Sequence, residues 1–158
     1  MKKRIQFLLP CLAIALASGC ATSPQIGQTS RSFSVKPAPV ELRYKLHLPE
    51  GYDAQSAKRW PTIFFLHGAG ERGDNLEKVT VHGPPMIAKG KPDFPFIVIS
   101  PQCPAGETWR PETLFALLDD VAVRHAVDEK RIYLTGLSMG GYGSWDLAVR
   151  RPERFAAV

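Results

Sequence analysis

Apolar and polar residues alternate from Glu41 to Leu48, as they do in a strand with one buried face. Two later stretches, 61–66 and 94–100, are short and almost continuously apolar, and Pro or Gly residues border them. Such runs are typical of parallel strands that are covered on both faces. A fourth strand is predicted at 131–135.

Two helices are predicted among the later strands. Apolar residues recur at helical spacing from Leu114 to His125, and Pro111 suits the first turn of that helix. A second helix is expected after Ser138 and should end near Arg151, because a proline follows. We expect His125 to pack in or beside the core and not to act in catalysis. The order of elements predicts an α/β fold, a mostly parallel sheet with helices on both faces.

The N-terminus has the three parts of an export signal. Met1–Arg4 is basic, Ile5–Ala17 is apolar, and Ala17–Cys20 is made of small residues. A membrane-spanning helix needs about 20 apolar residues, whereas this run is shorter and is interrupted by Pro10. The signal is therefore preferred to a transmembrane helix, and an exported protein is predicted.

The end of this signal resembles the lipobox of bacterial lipoproteins, in which the cysteine becomes the lipidated first residue. The matching residues are Leu16–Cys20. The resemblance implies that residues 1–19 are removed and that Cys20 attaches the protein to a lipid bilayer. Ala21 follows the cysteine, which by resemblance favours the outer membrane, with the protein facing the periplasm or the exterior.

Residues 21–39 are rich in Ser, Thr, Gln and Pro and show no hydrophobic period. This composition predicts a flexible tether over 20–39. A single domain is then expected over 40–158.

Net charge and cysteine content add little to this picture. The formal charge is +5, but Lys2, Lys3 and Arg4 supply three of the positive charges, and no other run concentrates basic residues. We therefore predict no nucleic-acid partner. Loss of Cys11 with the signal and lipidation of Cys20 would leave a single thiol, so no internal disulfide is expected. That thiol, Cys103, is expected to be a small buried side chain.

Residues Gly136–Gly140 form the pattern G-x-S-x-G between a predicted strand and a predicted helix. In hydrolases this sharp turn lifts the hydroxyl of a nucleophilic serine above the sheet edge. Ser138 is therefore the candidate nucleophile. The alternative is a glycine-rich turn that binds phosphate at a helix N-terminus, but neither a P-loop nor a dinucleotide pattern is present.

An acyl-transfer site also needs N–H donors for the oxyanion that forms in the transition state. A second glycine-rich turn, His67–Gly70, follows the apolar strand that ends at Leu66, where such folds place half of the oxyanion hole. We assign the backbone N–H groups of Met139 and Ala69, with Gly70 as the alternative to Ala69. His67 is expected to be structural.

Several segments together resemble one group of proteins, the bacterial secreted carboxylesterases, phospholipases and predicted peptidases (prolyl-oligopeptidase-like) among the α/β-hydrolases. The segments are 66–75, 82–85, 96–104 and 131–143. The resemblance extends from about residue 42 to residue 158. It implies ester or amide hydrolysis through an acyl-enzyme, with no metal or organic cofactor.

The sequence departs from that group after the nucleophile. The hydrolase triad follows the order Ser, acid, His, yet no histidine follows Ser138, and the only later acids are Asp146 and Glu153. The resemblance also makes Arg154–Val158 the start of the next core strand. We therefore expect an N-terminal fragment that is inactive by itself and truncated within that strand. Truncation there should leave some apolar sheet residues partly uncovered, namely Phe64, Ile97, Val98 and Leu134.

Two functional hypotheses follow. The first is a serine hydrolase of carboxylic esters, or of peptide bonds, that acts through Ser138 on a small-molecule or polymer-linked substrate. The second is a lipid-anchored, non-catalytic binding protein that uses a degenerate hydrolase cleft. The identity of the substrate stays open at this point.

Overall fold

A computed structural model describes residues 24–35 and 40–158 of the chain. The predicted signal peptide and Cys20 lie outside the described residues. Five strands form one sheet, in chain order β1 (Gly27–Val35), β2 (Val40–Leu48), β3 (Trp60–Leu66), β4 (Ile97–Pro101) and β5 (Val127–Gly136). The α-helices that accompany them are α1 (Gly83–Gly90), α2 (Pro111–Arg124) and α3 (Met139–Arg150).

The strands lie in the spatial order β1-β2-β4-β3-β5. Strand β3 pairs in parallel with both β4 and β5, whereas β2 pairs antiparallel with β1 and β4. Leu66, the last residue of β3, is the register partner of Gly136, the last residue of β5. The carboxyl ends of these two strands therefore meet at one edge of the sheet, where the two glycine-rich turns begin.

Helices cover both faces of the sheet. Phe64 of β3 points into the main core, which includes Leu117 of α2 and Leu147 of α3. Phe65 points to the opposite face, where a Cβ placed on Gly83 of α1 would lie only 2.8 Å from its ring. The predicted α/β fold class is confirmed, with an antiparallel pair of strands at one edge.

The two predicted helices are present. Helix α2 begins at Pro111, and α3 ends at Arg150, two residues before Pro152. His125 comes directly after α2 and is half-buried, with Nδ1 3.3 Å from the hydroxyl oxygen of Tyr52. It packs at the rim of the core, as expected.

The predicted flexible tether over 20–39 is wrong for Gly27–Val35. These residues form β1, which pairs with β2 along its whole length. The strand has few large apolar side chains, so main-chain pairing at the sheet edge must stabilise it. Its one sequence signal is the alternation of Ser30, Ser32 and Ser34 with larger residues, which is the period of a strand. The sheet thus begins at Gly27 and not near residue 40.

The apolar residues expected to be partly uncovered are in fact buried. Each has a relative exposure of 1% or less: Phe64, Ile97, Val98 and Leu134. Helices pack on both faces above them, and their exposure does not depend on a full neighbouring strand. The chain beyond α3 returns to the sheet, because Ala156 donates to the carbonyl of Ile132 at 2.7 Å and Leu134 donates to that of Ala157 at 3.0 Å. The start of the predicted next strand therefore runs parallel to β5.

Candidate active site

Ser138 lies in the turn between β5 and α3 and has an unusual backbone conformation. Its φ of 51° and ψ of −112° lie outside the regions that L-residues normally adopt. Among the described residues it is the only non-glycine with a positive φ. Its side chain is solvent-exposed. Backbone strain of this kind is stored at functional sites and is held in place by the surrounding structure.

The glycines on either side of Ser138 are required because a side chain there would clash with neighbouring backbone atoms. A Cβ on Gly136 would lie 2.2 Å from the carbonyl oxygen of Gly140, and a Cβ on Gly140 would lie 1.8 Å from the carbonyl oxygen of Leu66. Both clashes involve backbone atoms, which cannot rotate away. The close contact between β3, β5 and α3 is therefore what explains the G-x-S-x-G spacing.

The turn after β3 contacts the turn that holds Ser138, which is called the nucleophile turn below. The amide of Leu137 donates to the carbonyl of Leu66 at 3.0 Å. A Cβ on Gly68 would lie 3.7 Å from Cβ of Ser138 and 3.4 Å from the carbonyl oxygen of Leu137. The structure thus brings together the two turns that the sequence proposed as halves of one site.

The backbone amides assigned to the oxyanion hole begin helical turns. Met139 is the first residue of α3, and Ala69 and Gly70 open a 3₁₀ turn that ends at Glu71. The first N–H groups of a helix have no acceptor within the helix. The amides of Met139, Ala69 and Gly70 therefore have no acceptor within their own helical turns.

His67 is buried beside this turn as a neutral imidazole, held by hydrogen bonds at both ring nitrogens. Its exposure is 2%, its Nε2 accepts from the amide of Cys103 at 3.0 Å, and its Nδ1 lies 2.6 Å from the carbonyl oxygen of Gly68. Since Nε2 accepts, the proton must lie on Nδ1, which donates to Gly68. Burial lowers the pKa of His67, against smaller opposing effects of the Gly68 hydrogen bond and Glu71. His67 is structural, as expected, and does not face Ser138 as a base.

Arg72 and Trp109 support the same turn, although neither residue was predicted to have a role in the site. Arg72 donates through Nε to the carbonyl of Ala69 at 3.1 Å and through a terminal nitrogen to that of Glu107 at 3.0 Å. The Trp109 indole meets the His67 ring edge-on at 4.8 Å between centroids, and its N–H donates to the His67 carbonyl at 3.3 Å. Two of these hydrogen bonds, from Arg72 to Glu107 and from Trp109 to His67, join segments at least 35 residues apart, so no local pattern predicted them.

A mostly buried carboxyl group, Glu71, lies beside the turn. Its Oε2 atom is 3.9 Å from Nδ1 of His67 and would be 3.2 Å from a Cβ on Gly68, and Oε1 is 3.7 Å from Nε2 of His82. Oε2 is buried and accepts no hydrogen bond from the described residues. The carboxyl group of Glu71 therefore lies close to the Gly68 turn and to the turn that holds Ser138.

An open cleft of about 330 Å³ adjoins the nucleophile turn on the α3 side. It is lined by Thr108, Trp109, Met139, Tyr142, Gly143 and Asp146. Trp109 is fixed in its wall, because a Cβ on Gly143 would approach the indole to 2.7 Å.

Neither of the two acids that follow Ser138 in the sequence hydrogen-bonds to it within the described part of the chain. Asp146 makes an ion pair with Arg150, with 2.7 Å between Oδ1 and Nε, and Glu153 is exposed after α3. Cys103 is buried, and burial raises the pKa of its thiol to about 11, which leaves it protonated at neutral pH.

Within residues 24–35 and 40–158, no three His, Cys, Asp or Glu side chains form a group that could hold a metal ion. None of the helices in that part of the chain has the length and apolarity to cross a membrane.

No protein-family model matches the chain. A probable feruloyl esterase C from Aspergillus terreus is 27% identical over 153 residues, and the match covers 92% of this chain and 53% of that protein. The chain therefore spans about half the length of this curated relative.

Solved structures give the same picture. A thermostable esterase superposes with a TM-score of 0.67 at 28% identity over 82% of this chain and 40% of its own. The fluorophosphonate-binding serine hydrolase F of Staphylococcus aureus superposes with a TM-score of 0.65 at 19% identity over 83% of this chain and 55% of its own. These matches confirm the α/β-hydrolase fold and the resemblance to carboxylesterase-type hydrolases.

Proposed function

We propose that this chain carries the nucleophile half of a serine hydrolase that cleaves carboxylic esters, with Ser138 as the nucleophile. The observation that supports this most is the strained backbone of Ser138 in a turn next to Gly68. A phosphate-binding turn would have no need to hold a serine at positive φ. The esterase names of the similar proteins point the same way.

The proposed reaction proceeds through an acyl-enzyme. Oγ of Ser138 attacks the ester carbonyl carbon while its proton passes to a base. The negative oxygen that forms is held by the N–H groups of Met139 and Ala69, or of Gly70 in place of Ala69. The C–O bond to the alcohol then breaks and the alcohol leaves with the proton. Water repeats the sequence on the acyl-enzyme, which releases the carboxylic acid and restores the serine.

The base and its orienting acid follow the serine in this fold, and we propose that both lie in sequence after Val158. Reading the gene beyond that residue tests this part directly. An Asp or Glu and then a His in a continuing hydrolase pattern would support it. A stop codon followed by unrelated sequence would favour the non-catalytic binding protein instead.

Esters of aromatic acids are the first substrates to test. The relative from Aspergillus terreus is named a feruloyl esterase, and the cleft beside Met139 has Trp109 and Tyr142 in its lining. We propose that this wall contacts the ring of a feruloyl-type acyl group, on a small molecule or on a polymer. Ethyl ferulate should then be hydrolysed with a higher kcat/KM than ethyl acetate.

The nucleophile is tested with the full-length gene product. A fluorophosphonate probe should label the wild type and a Ser32→Ala control, in which an exposed serine of β1 is removed, but not Ser138→Ala. Because serine and base act as a unit, Ser138→Ala should lower kcat by about 10⁶-fold. Labelling that persists in Ser138→Ala would identify another nucleophile, and a wild type that neither reacts nor turns over esters would support the binding protein.

We also propose that the protein is exported and held on the outer membrane by a lipid on Cys20, facing the periplasm or the exterior. The support is the signal-like N-terminus and its lipobox-like end, Leu16–Cys20. Radiolabelled palmitate should enter the wild type and not Cys20→Ala. Equal incorporation into both proteins would rule this anchor out.

A further inference from the structure

Gln102 has a polar side chain that is almost fully buried. It lies directly after β4 with a relative exposure of 3%. Its Nε2 donates to the carbonyl of Glu71 at 3.0 Å and to that of Asn75 at 2.7 Å. Both acceptors belong to the segment 68–75, which contains the proposed oxyanion amides. One side chain therefore ties two points of this segment together.

Gln102 is itself fixed to the sheet. Its backbone N–H donates to the carbonyl of Arg43 in β2 at 2.9 Å. The next residue, Cys103, accepts from the amide of Gly73 at 3.0 Å and donates to Nε2 of His67 at 3.0 Å. Residues 102 and 103 thus hold the segment by three hydrogen bonds to its backbone atoms, and a fourth bond holds the side chain of the preceding His67.

Stability alone does not account for this arrangement. Oε1 of Gln102 is buried and has no hydrogen-bond partner among the described residues, so the side chain carries a desolvation cost that an apolar residue of similar size would avoid. The side-chain amide instead fixes the position of the Glu71 carbonyl through its hydrogen bond. That carbonyl lies in the same 3₁₀ turn as the N–H groups of Ala69 and Gly70. Gly68, at the start of this turn, lies close to Ser138, since a Cβ placed on it would be 3.7 Å from Cβ of Ser138.

We infer that Gln102 is a positioning residue that holds the oxyanion amides of Ala69 and Gly70 at a fixed place relative to Ser138. This inference rests on the proposed function of Ser138. Loss of the amide should leave substrate binding nearly unchanged, because Gln102 does not line the cleft beside Met139. It should weaken stabilisation of the transition state, which depends on donor placement.

The main variant is Gln102→Met in the full-length protein, because methionine keeps the length and removes both donors. A displacement of the turn by about 1 Å can lower the rate by up to about 10²-fold. We therefore expect kcat to fall by about 10-fold to 10²-fold while KM changes by less than about twofold. The matched control is Gln28→Met, since Gln28 makes one comparable bond, to the carbonyl of Pro85 at 3.0 Å, far from the turn. The control should keep kcat within about twofold of the wild type.

A second variant guards against simple loss of folding. In Gln102→Glu the ionised carboxylate cannot donate, but the protonated acid can donate one hydrogen bond. The kcat of this variant, divided by that of the wild type at the same pH, should rise as the pH falls toward the carboxyl pKa. Protonation also stabilises a buried carboxyl group, so kcat is expressed per folded molecule, with the folded fraction measured by circular dichroism at each pH. A purely structural role would then leave the ratio level.

Hydrogen exchange separates failure of this inference from failure of the proposed function. In Gln102→Met the amides of residues 68–75 should exchange faster, while those of β2 and β4 should not. If the wild type shows no turnover, the proposed function fails and exchange still reports whether Gln102 holds the turn. Unchanged exchange at 68–75 overturns the inference, as does a kcat equal to that of Gln28→Met.

Discussion

Gly140 and Gly141 provide a sharp test of the nucleophile turn, because they are neighbours on α3 with opposite surroundings. A Cβ on Gly140 would lie 1.8 Å from the carbonyl oxygen of Leu66, whereas the nearest atom to a Cβ on Gly141 is 3.7 Å away. Neither glycine has a positive φ. The two alanine variants therefore differ in available space and not in backbone strain.

Gly140→Ala should be strongly destabilising. Helix α3 and strand β3 must separate by about 1.2 Å to bring the contact with Leu66 from 1.8 Å to the 3.0 Å limit of real contacts. Overpacking commonly costs about 1–3 kcal/mol, and we expect a loss of at least about 3 kcal/mol because both partners are backbone. The shift also moves Ser138 away from Gly68, so kcat should fall by about 10²-fold in the fraction that folds.

Gly141→Ala should be neutral or stabilising by up to about 1 kcal/mol, since alanine is the better helix former. The measurement is urea unfolding followed by circular dichroism on the full-length protein, with the unfolding slope compared to exclude a change in the denatured state. The reasoning fails if the two variants unfold at the same urea concentration. It also fails if Gly140→Ala keeps wild-type kcat, because the tight turn would then not position the serine.

Two further predictions concern stability. Ser138→Gly should be more stable than Ser138→Ala by about 1 kcal/mol, because glycine adopts the positive φ without the steric strain that alanine retains. Equal urea midpoints for these two inactive variants would show that the turn is not strained. The free energy of unfolding should decrease as the pH falls below about 6.5, because burial lowers the pKa of His47, His67 and His125 in the folded state and the unfolded chain takes up protons first. Urea titrations at several pH values between 7.5 and 5 test this, and a stability that stays level or rises on acidification would contradict the buried neutral histidines.

The sequence by itself determined the parts of this protein that depend on local patterns. Almost continuous apolar runs predicted β3 and β4, and helical spacing predicted α2, because burial selects residues at the period of the element. Gly136–Gly140 predicted the nucleophile turn and Ser138, because only glycine fits where a strand and a helix meet so closely.

Tertiary structure decided what depends on partners far apart in the chain. β1 has a polar sequence and is a strand because β2 offers a paired edge, so composition alone suggested a tether. Helix α1 begins with glycine and two prolines, a weak helix pattern, and is held by packing on the sheet. Part of the support of the turn at Gly68 comes from Gln102, more than 30 residues later. A hydrogen bond between a side chain and a distant carbonyl leaves no periodic trace in the sequence. The position of Ser138 was therefore predictable from its neighbours, whereas the network around it emerged only when the chain was folded.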